Sequence, residues 1–96
     1  MRNKNGVTIK QALDMMVSDL NLKSKLDESR VREAWALVMG KPIAKYTTKI
    51  SLHKSKLYVQ VNSAALKQEL SYSQEKIKEV FNKELGDAVI NEVIVY

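Results

Sequence analysis

The 96-residue sequence has no cysteine, one histidine, one proline and three glycines. Without cysteine it forms neither a disulfide nor a thiolate metal site. His53 alone cannot build a histidine-based metal cluster, and a catalytic dyad would need a carboxylate from a distant part of the chain. The isolated glycines Gly6, Gly40 and Gly86 do not form a phosphate-binding loop. The sequence therefore indicates a binding protein rather than an enzyme, with no metal and no cofactor.

Long apolar runs are also missing. No stretch of about eighteen apolar residues occurs, so no transmembrane helix is expected. Residues 1–10 lack the apolar core of a secretory signal, and we expect a cytoplasmic protein without membrane contact. A chain of this length forms one domain. We predict a single domain over residues 1–96, with an N-terminal helical pair over 9–39 and the sheet and its packing helices over 45–96.

Acidic residues are missing from the middle of the chain. Between Ala34 and Lys67 there is no Asp or Glu, where the overall composition predicts about four. The same segment contains Lys41, Lys45, Lys49, Lys54, Lys56 and Lys67. These six lysines give the segment a charge of +6, more than the +5 of the whole chain. Lysines on edge strands also prevent aggregation, which explains some of them but not the missing acids. We therefore favour an anion-binding surface.

The first part of the chain has helical periodicity. Thr8 begins a capping box, and apolar residues at helical spacing predict a first helix over 9–20. A second helix is predicted over 26–39, where Trp35 is interpreted as a core residue rather than a ligand platform. Segment 43–46 is predicted to be an irregular turn. The apolar stripe of the first helix consists of Ile9, Ala12, Leu13, Met16, Val17 and Leu20.

From Thr47 the apolar period changes from 3.6 to 2, which predicts two strands joined at Lys54-Ser55. One face of this hairpin should be buried, with Thr48 among the inward residues. The opposite, polar face carries Lys49, Ser51, His53, Tyr58 and Gln60. Tyr58 has two interpretations that stay open: a ring that stacks on an unpaired base, or an ordinary cross-strand residue.

The last third of the chain is predicted to form two helices, about 63–70 and 72–85, with a capping box from Ser71 to Gln74; a single kinked helix is the alternative. A final β-branched strand over 88–96 fits either face of a sheet. The order is α-α-β-β-α-α-β, and the crossover makes the second and third strands parallel neighbours. We predict an α+β fold whose three-stranded mixed sheet has its helices on one face.

A spaced pattern runs from the second helix to the final strand. It consists of Trp35, Val38-Met39-Gly40, Ile43-Ala44, Tyr46-Thr47, Leu57-Tyr58-Val59-Gln60-Val61, Leu66 through Glu69-Leu70, and Asn82 through Leu85-Gly86. Over residues 34–96 this pattern resembles the DciA-like family, a bacterial domain long catalogued as of unknown function. The resemblance implies a K homology type II-like fold. It also implies a role in chromosome replication, where DciA proteins help to load the replicative DnaB helicase and contact DNA.

One feature departs from the nucleic-acid-binding K homology domains, which clamp the backbone with a GXXG loop between two core helices. The corresponding junction here, Leu70-Ser71-Tyr72-Ser73-Gln74, has no glycine, so we expect a K homology-like domain without a GXXG loop.

The function predicted from these features is a nucleic-acid-associated adaptor resembling a helicase loader, which binds DNA weakly and non-specifically. Its partners would be single-stranded or other nucleic acid and, from the resemblance, a replicative DNA helicase. The predicted nucleic-acid-binding residues are Lys41, Lys45, Lys49, His53, Lys54, Lys56, Tyr58 and Lys67. The alternative is a protein–protein interaction module with an acidic partner and no direct nucleic-acid binding.

Overall fold

The computed structural model describes residues 8–96; residues 1–7 of the predicted domain, and the side chains of Val17, Ser18 and Leu20, lie outside the description. The elements follow the predicted order, and the α+β class is confirmed. They are α1 (Ile9–Met39), α2 (Lys41–Tyr46), β1 (Thr47–His53), β2 (Lys56–Val61), α3 (Ala64–Ser71), α4 (Gln74–Leu85) and β3 (Glu92–Val95).

The two predicted N-terminal helices, 9–20 and 26–39, are one continuous helix. Residues 21–25 contain neither proline nor glycine, so nothing in the backbone interrupts α1 between them. The predicted start is confirmed, because the Thr8 hydroxyl accepts a hydrogen bond from the Gln11 N–H at 3.1 Å. The segment predicted as an irregular turn is the short helix α2, which begins directly after Gly40.

The first part of α1, residues 9–20, forms an N-terminal arm. Its apolar residues were predicted to pack, but Ile9 is 73% exposed and Met16 60% exposed. Further along the same helix, Val31 and Trp35 are buried against the sheet. The arm gives the molecule a longest dimension of 60 Å and a radius of gyration of 17.1 Å, against about 12–13 Å for a compact domain of this length.

The sheet has the order β1-β2-β3, with β2 in the centre. β1 and β2 are antiparallel, whereas β2 and β3 are parallel, as predicted. At the hairpin turn Lys54 has a φ of 50° and Ser55 a φ of 64°. Two successive positive φ values are typical of the type I′ turn, whose twist matches the twist of the flanking strands.

A bulge between Thr47 and Lys49 corrects the predicted inward face of β1. Thr48 was predicted to face inward, but it is exposed, because the bulge adds one residue at this point. Thr47 faces the helices instead, and its hydroxyl accepts a hydrogen bond from the Trp35 indole N–H at 2.9 Å. Trp35 is 2% exposed and stacks on Phe81 with 5.2 Å between ring centroids, so the prediction of a core residue is confirmed.

The register of β3, left open by the sequence, is fixed by its pairing with β2. Val93 lies beside Leu57 and Val95 beside Val59, so both valines face the helices while Ile94 faces outward. The loop before β3 is held by Asn82, whose side chain donates to the Ile90 carbonyl at 2.9 Å and accepts from the Ile90 N–H at 2.7 Å.

The helices α3 and α4 are separate, as predicted, and the kinked single helix is not observed. Ser63 caps α3 by accepting from the Leu66 N–H at 3.3 Å. The predicted capping box from Ser71 to Gln74 is wrong: the Ser71 hydroxyl donates to the Lys67 carbonyl at 2.7 Å, and Ser73 occupies the N-cap of α4.

Candidate nucleic-acid interface

The face of the sheet opposite the helices brings together several of the predicted binding residues. Side chains in register across the strands form rows on this face: Lys49 with Gln60, Ser51 with Tyr58 and Ile94, and His53 with Lys56 and Glu92. Lys49 and His53 lie four residues apart on β1, about 13 Å along the strand. We call Lys49, His53, Lys54, Lys56 and Tyr58 the basic hairpin face.

Tyr58 occupies the centre of this face on the middle strand. Its neighbours in the row are Ser51 on β1 and Ile94 on β3, and its side chain is half-buried between them. The ring therefore has cations on both sides along the hairpin, with Lys56 two residues before it and Lys49 one row away. An aromatic ring flanked by cations can stack on a base whose phosphates contact the lysines.

The cations of the basic hairpin face are available to a partner. Lys56 forms a long ion pair with Glu92 at 4.0 Å, and both side chains are about half exposed, at 49% and 57%. Exposed pairs of this kind are worth roughly 0–1 kcal/mol, so a phosphate can replace Glu92 as the partner of Lys56 at little cost. Within residues 8–96, Lys49 and Lys54 take part in no salt bridge.

The other three predicted lysines lie elsewhere. Lys41 and Lys45 are on α2, directly before β1, and Lys67 is on α3, shortly after β2. They are therefore at the end of the sheet away from the hairpin turn, separated from it by the length of β1, about 20 Å. Lys45 also has a local partner, because its Nζ is 5.9 Å from the centroid of the Tyr46 ring. The eight predicted residues thus form two groups rather than one.

The position of the hairpin is fixed by polar side chains of α1 that the sequence did not reveal. Glu28 accepts a hydrogen bond from the Leu52 N–H at 2.9 Å, and the Ser24 hydroxyl donates to the Leu52 carbonyl at 3.3 Å. Glu28 also accepts from Arg32 at 2.6 Å. These side chains occupy the free edge of β1, which protects it from pairing with another strand. On the sequence they are ordinary polar residues of a helix.

A cleft of about 550 Å³ lies between α1, the hairpin turn and the loop after α4. It is lined by Asn21, Lys23, Ser24, Asp27, Leu52, His53, Lys54, Ser55, Asp87, Ala88 and Val89. Its walls include His53 and Lys54 of the basic hairpin face and one buried acid, Asp27, which is 5% exposed. The sequence predicted neither the cleft nor the position of this acid, since the three segments are far apart along the chain.

The chain matches a known protein family over nearly its whole length. The model of the family described as Dna[CI] antecedent, DciA, matches residues 8–95. The chain belongs to the DciA family. The match extends the expected resemblance, predicted for residues 34–96, over the whole of α1. The DciA family is associated with loading of the replicative helicase. No curated protein and no solved structure matches the chain.

In this DciA-family chain the junction of the two core helices differs from a GXXG loop. α3 ends at Ser71 and α4 begins at Gln74, so only Tyr72 and Ser73 connect them. Tyr72 is 81% exposed, and its hydroxyl accepts a hydrogen bond from Gln68 at 3.2 Å. A large side chain therefore stands where K homology domains have glycines that let the nucleic-acid backbone approach.

The described part of this DciA-family chain has neither a metal-binding cluster nor a membrane-spanning helix. Residues 8–96 contain no group of three or more His, Asp or Glu side chains that could hold a metal ion. No helix among them is both long enough and apolar enough to cross a membrane.

Proposed function

We propose that this chain is a nucleic-acid-associated adaptor that binds single-stranded DNA weakly and non-specifically through the basic hairpin face while it contacts a replicative helicase. It acts by binding, not by catalysis, in the bacterial cytoplasm. The observation that carries the proposal is the strand register, which aligns Lys49, His53 and Lys56 around Tyr58 on one open sheet face.

Charge supports a nucleic acid as the ligand of this face. The segment from Ala34 to Lys67 has no acid. In the rows of side chains on the open sheet face, the one carboxylate is that of Glu92, which belongs to β3. Lysines that contact phosphates supply affinity without reading sequence, which accounts for weak and non-specific binding. Tyr58 would add stacking on one base, worth roughly 1–3 kcal/mol.

The second group of lysines defines the path of the DNA strand in this proposal. Lys41, Lys45 and Lys67 lie at the end of the sheet away from the hairpin turn. Single-stranded DNA that contacts both groups of lysines has to run along β1, over about 20 Å. This distance is too long for one phosphate contact but suits several successive nucleotides.

The test is to replace Lys49, Lys54 and Lys56 together with glutamate. We expect binding of a fluorescent single-stranded oligonucleotide, measured by anisotropy at low salt, to be lost, since three attractive contacts become repulsive. The circular dichroism spectrum should not change, because all three side chains are exposed.

The matched control replaces Lys10, Lys76 and Lys83, which are exposed on helices, with glutamate. This variant has the same net charge as the hairpin variant and should keep most of the affinity. Equal losses in the two variants would mean that only net charge matters and that the basic hairpin face is not the site. Absence of binding by the wild-type chain at low salt would refute the nucleic-acid half of the proposal.

A second candidate is a protein–protein interaction module in which the lysines meet an acidic protein surface and no nucleic acid binds. The association of the family with helicase loading favours it, since loading requires a protein contact in any case. Capture of a replicative helicase by the wild-type chain but not by the hairpin variant, together with no binding of oligonucleotides, would support this candidate. Capture by the hairpin variant as well as by the wild-type chain would show that the hairpin lysines are not needed for the helicase contact.

A further inference from the structure

The cleft between α1, the hairpin turn and residues 87–89 contains a carboxylate that is buried and yet open to a ligand. Asp27 is 5% exposed, and its Oδ2 accepts a hydrogen bond from Lys23 Nζ at 2.8 Å. Within residues 8–96, Oδ1 accepts no hydrogen bond. Every fully buried side-chain oxygen or nitrogen in this part of the chain has a hydrogen-bond partner, so Oδ1 is not one of the fully buried atoms. Oδ1 is therefore in contact with solvent, and Asp27 is one of the residues that line the cleft.

The remaining walls of the cleft are partly apolar and partly charged. Leu52, Ala88 and Val89 supply apolar surface, and the volume of about 550 Å³ is ample for a planar ring. His53 and Lys54 lie at the hairpin side. Asp87, the second acid, is engaged within its own loop, because its Oδ1 accepts from the Ala88 N–H at 2.8 Å.

We infer that this cleft binds one unpaired nucleobase that bears an exocyclic amino group (adenine, cytosine or guanine) from the DNA strand on the basic hairpin face. The amino group donates a hydrogen bond to Asp27 Oδ1, and the phosphate beside it contacts Lys54. Carboxylates accept from such amino groups, whereas thymine has no amino group and its N3–H lies between two carbonyl oxygens that the carboxylate repels. The inference rests on the proposed function, because the hairpin has to hold the DNA strand, and it adds a preference at one base to phosphate contacts that do not depend on sequence.

The position of the cleft favours a base over the other planar donor that a carboxylate could bind, an arginine side chain of a partner protein. His53 and Lys54 belong both to the cleft and to the basic hairpin face, so a DNA strand on that face has its bases next to the cleft. The charges of the lining do not distinguish the two ligands, because Lys23 and Lys54 are balanced by Asp27 and Asp87.

The inference is tested by measuring the affinity of the full chain for short oligonucleotides of deoxycytidine, deoxyadenosine and thymidine at one salt concentration and neutral pH. We expect the thymidine oligonucleotide to bind roughly tenfold more weakly than the other two. Asp27→Asn should reduce this difference, because an amide offers both a donor and an acceptor.

A second variant avoids the buried acid. Ala88→Trp should fill the cleft and remove the difference between the oligonucleotides, and the fold should be retained because Ala88 is exposed and lies outside the core. Ala65→Trp, on the exposed surface of α3, is the matched control and should retain the base preference.

The outcomes separate this inference from the proposed function. Equal affinity of the wild-type chain for all three oligonucleotides would overturn the inference and leave the proposed function standing, whereas no binding of any of them would overturn both. NMR titrations give a further test. Shifts of the Lys54 and Ala88 amide signals with N-acetylarginine amide, but none with deoxycytidine monophosphate, would assign the cleft to a protein side chain and overturn the inference.

Discussion

Glu28 illustrates how one side chain can position a surface to which it does not belong. One carboxylate oxygen accepts the Leu52 N–H of the edge strand and the other accepts from Arg32. Because the edge N–H of a strand has no partner within the sheet, Glu28 supplies the acceptor that a further strand would provide. The carboxylate thereby connects α1 to the hairpin that carries Lys49, Lys54 and Lys56.

Replacing Glu28 with alanine should lower the free energy of unfolding by roughly 1–3 kcal/mol, since the partly buried Leu52 N–H loses its acceptor. Urea unfolding followed by circular dichroism measures this change. Glu33→Ala is the control, because Glu33 is exposed on the same helix and a surface substitution of this kind changes stability by about 0.5 kcal/mol or less. Equal stability of the two variants would show that the contact with Leu52 does not hold the hairpin.

At the scale of the elements, α1 consists of two parts with different energetics. Its C-terminal part buries Val31 and Trp35 in the core, while the N-terminal arm leaves Ile9, Leu13 and Met16 more than half exposed. The sequence shows the same apolar stripe in both parts. The stripe predicts which face of a helix is apolar, but whether that face is covered depends on how far the sheet extends beneath it.

Two leucine-to-alanine variants should show that the arm contributes less to the free energy of unfolding than the core does. Leu70 is 3% exposed on α3, so Leu70→Ala should lower the free energy of unfolding by about 2–5 kcal/mol. Leu13 is 55% exposed on the arm, so Leu13→Ala should change it by about 0.5 kcal/mol or less. The measurement is again urea unfolding of the full chain. A large loss in Leu13→Ala would mean that the arm packs against the rest of the molecule.

For the whole molecule, the net charge of +5 matters less than its distribution. The N-terminal third carries seven Lys/Arg and five Asp/Glu, a net charge of +2 over residues 1–33, while residues 69–96 carry three and six, a net charge of −3. The basic middle segment forms the hairpin and the elements beside it. The positive charge is therefore concentrated in the middle of the chain, and it would steer an anionic DNA strand to the elements that this segment forms.

The dependence of binding on salt should report how many lysines contact phosphates. If four to six of the predicted lysines do so, the logarithm of the association constant should fall with the logarithm of salt concentration with a slope of about −3 to −4. Anisotropy titrations over a range of sodium chloride concentrations give this slope. A slope near zero would mean that the affinity does not come from phosphate contacts, which would contradict the assignment of the lysines.

The sequence by itself determined the fold class, the order of the elements and the polar face of the hairpin, because these follow from local periodicity. Thr8, Ser63 and Gly86 mark helix ends in the structure as their residue types predict. Only the tertiary structure decided the outward position of Thr48, since one extra residue in the bulge reverses the alternation. It also decided the register of β3, where consecutive apolar residues fit either face until pairing with β2 selects one.

The candidate site also has features that the sequence predicts and features that only the tertiary structure decides. Lys49, His53 and Tyr58 could be assigned to a polar face from the sequence, because alternation along the strands places them there. The separation of Lys41, Lys45 and Lys67 from the hairpin turn, and the cleft around Asp27, could not. They depend on which distant segments the folded chain brings together, and no local pattern records such contacts.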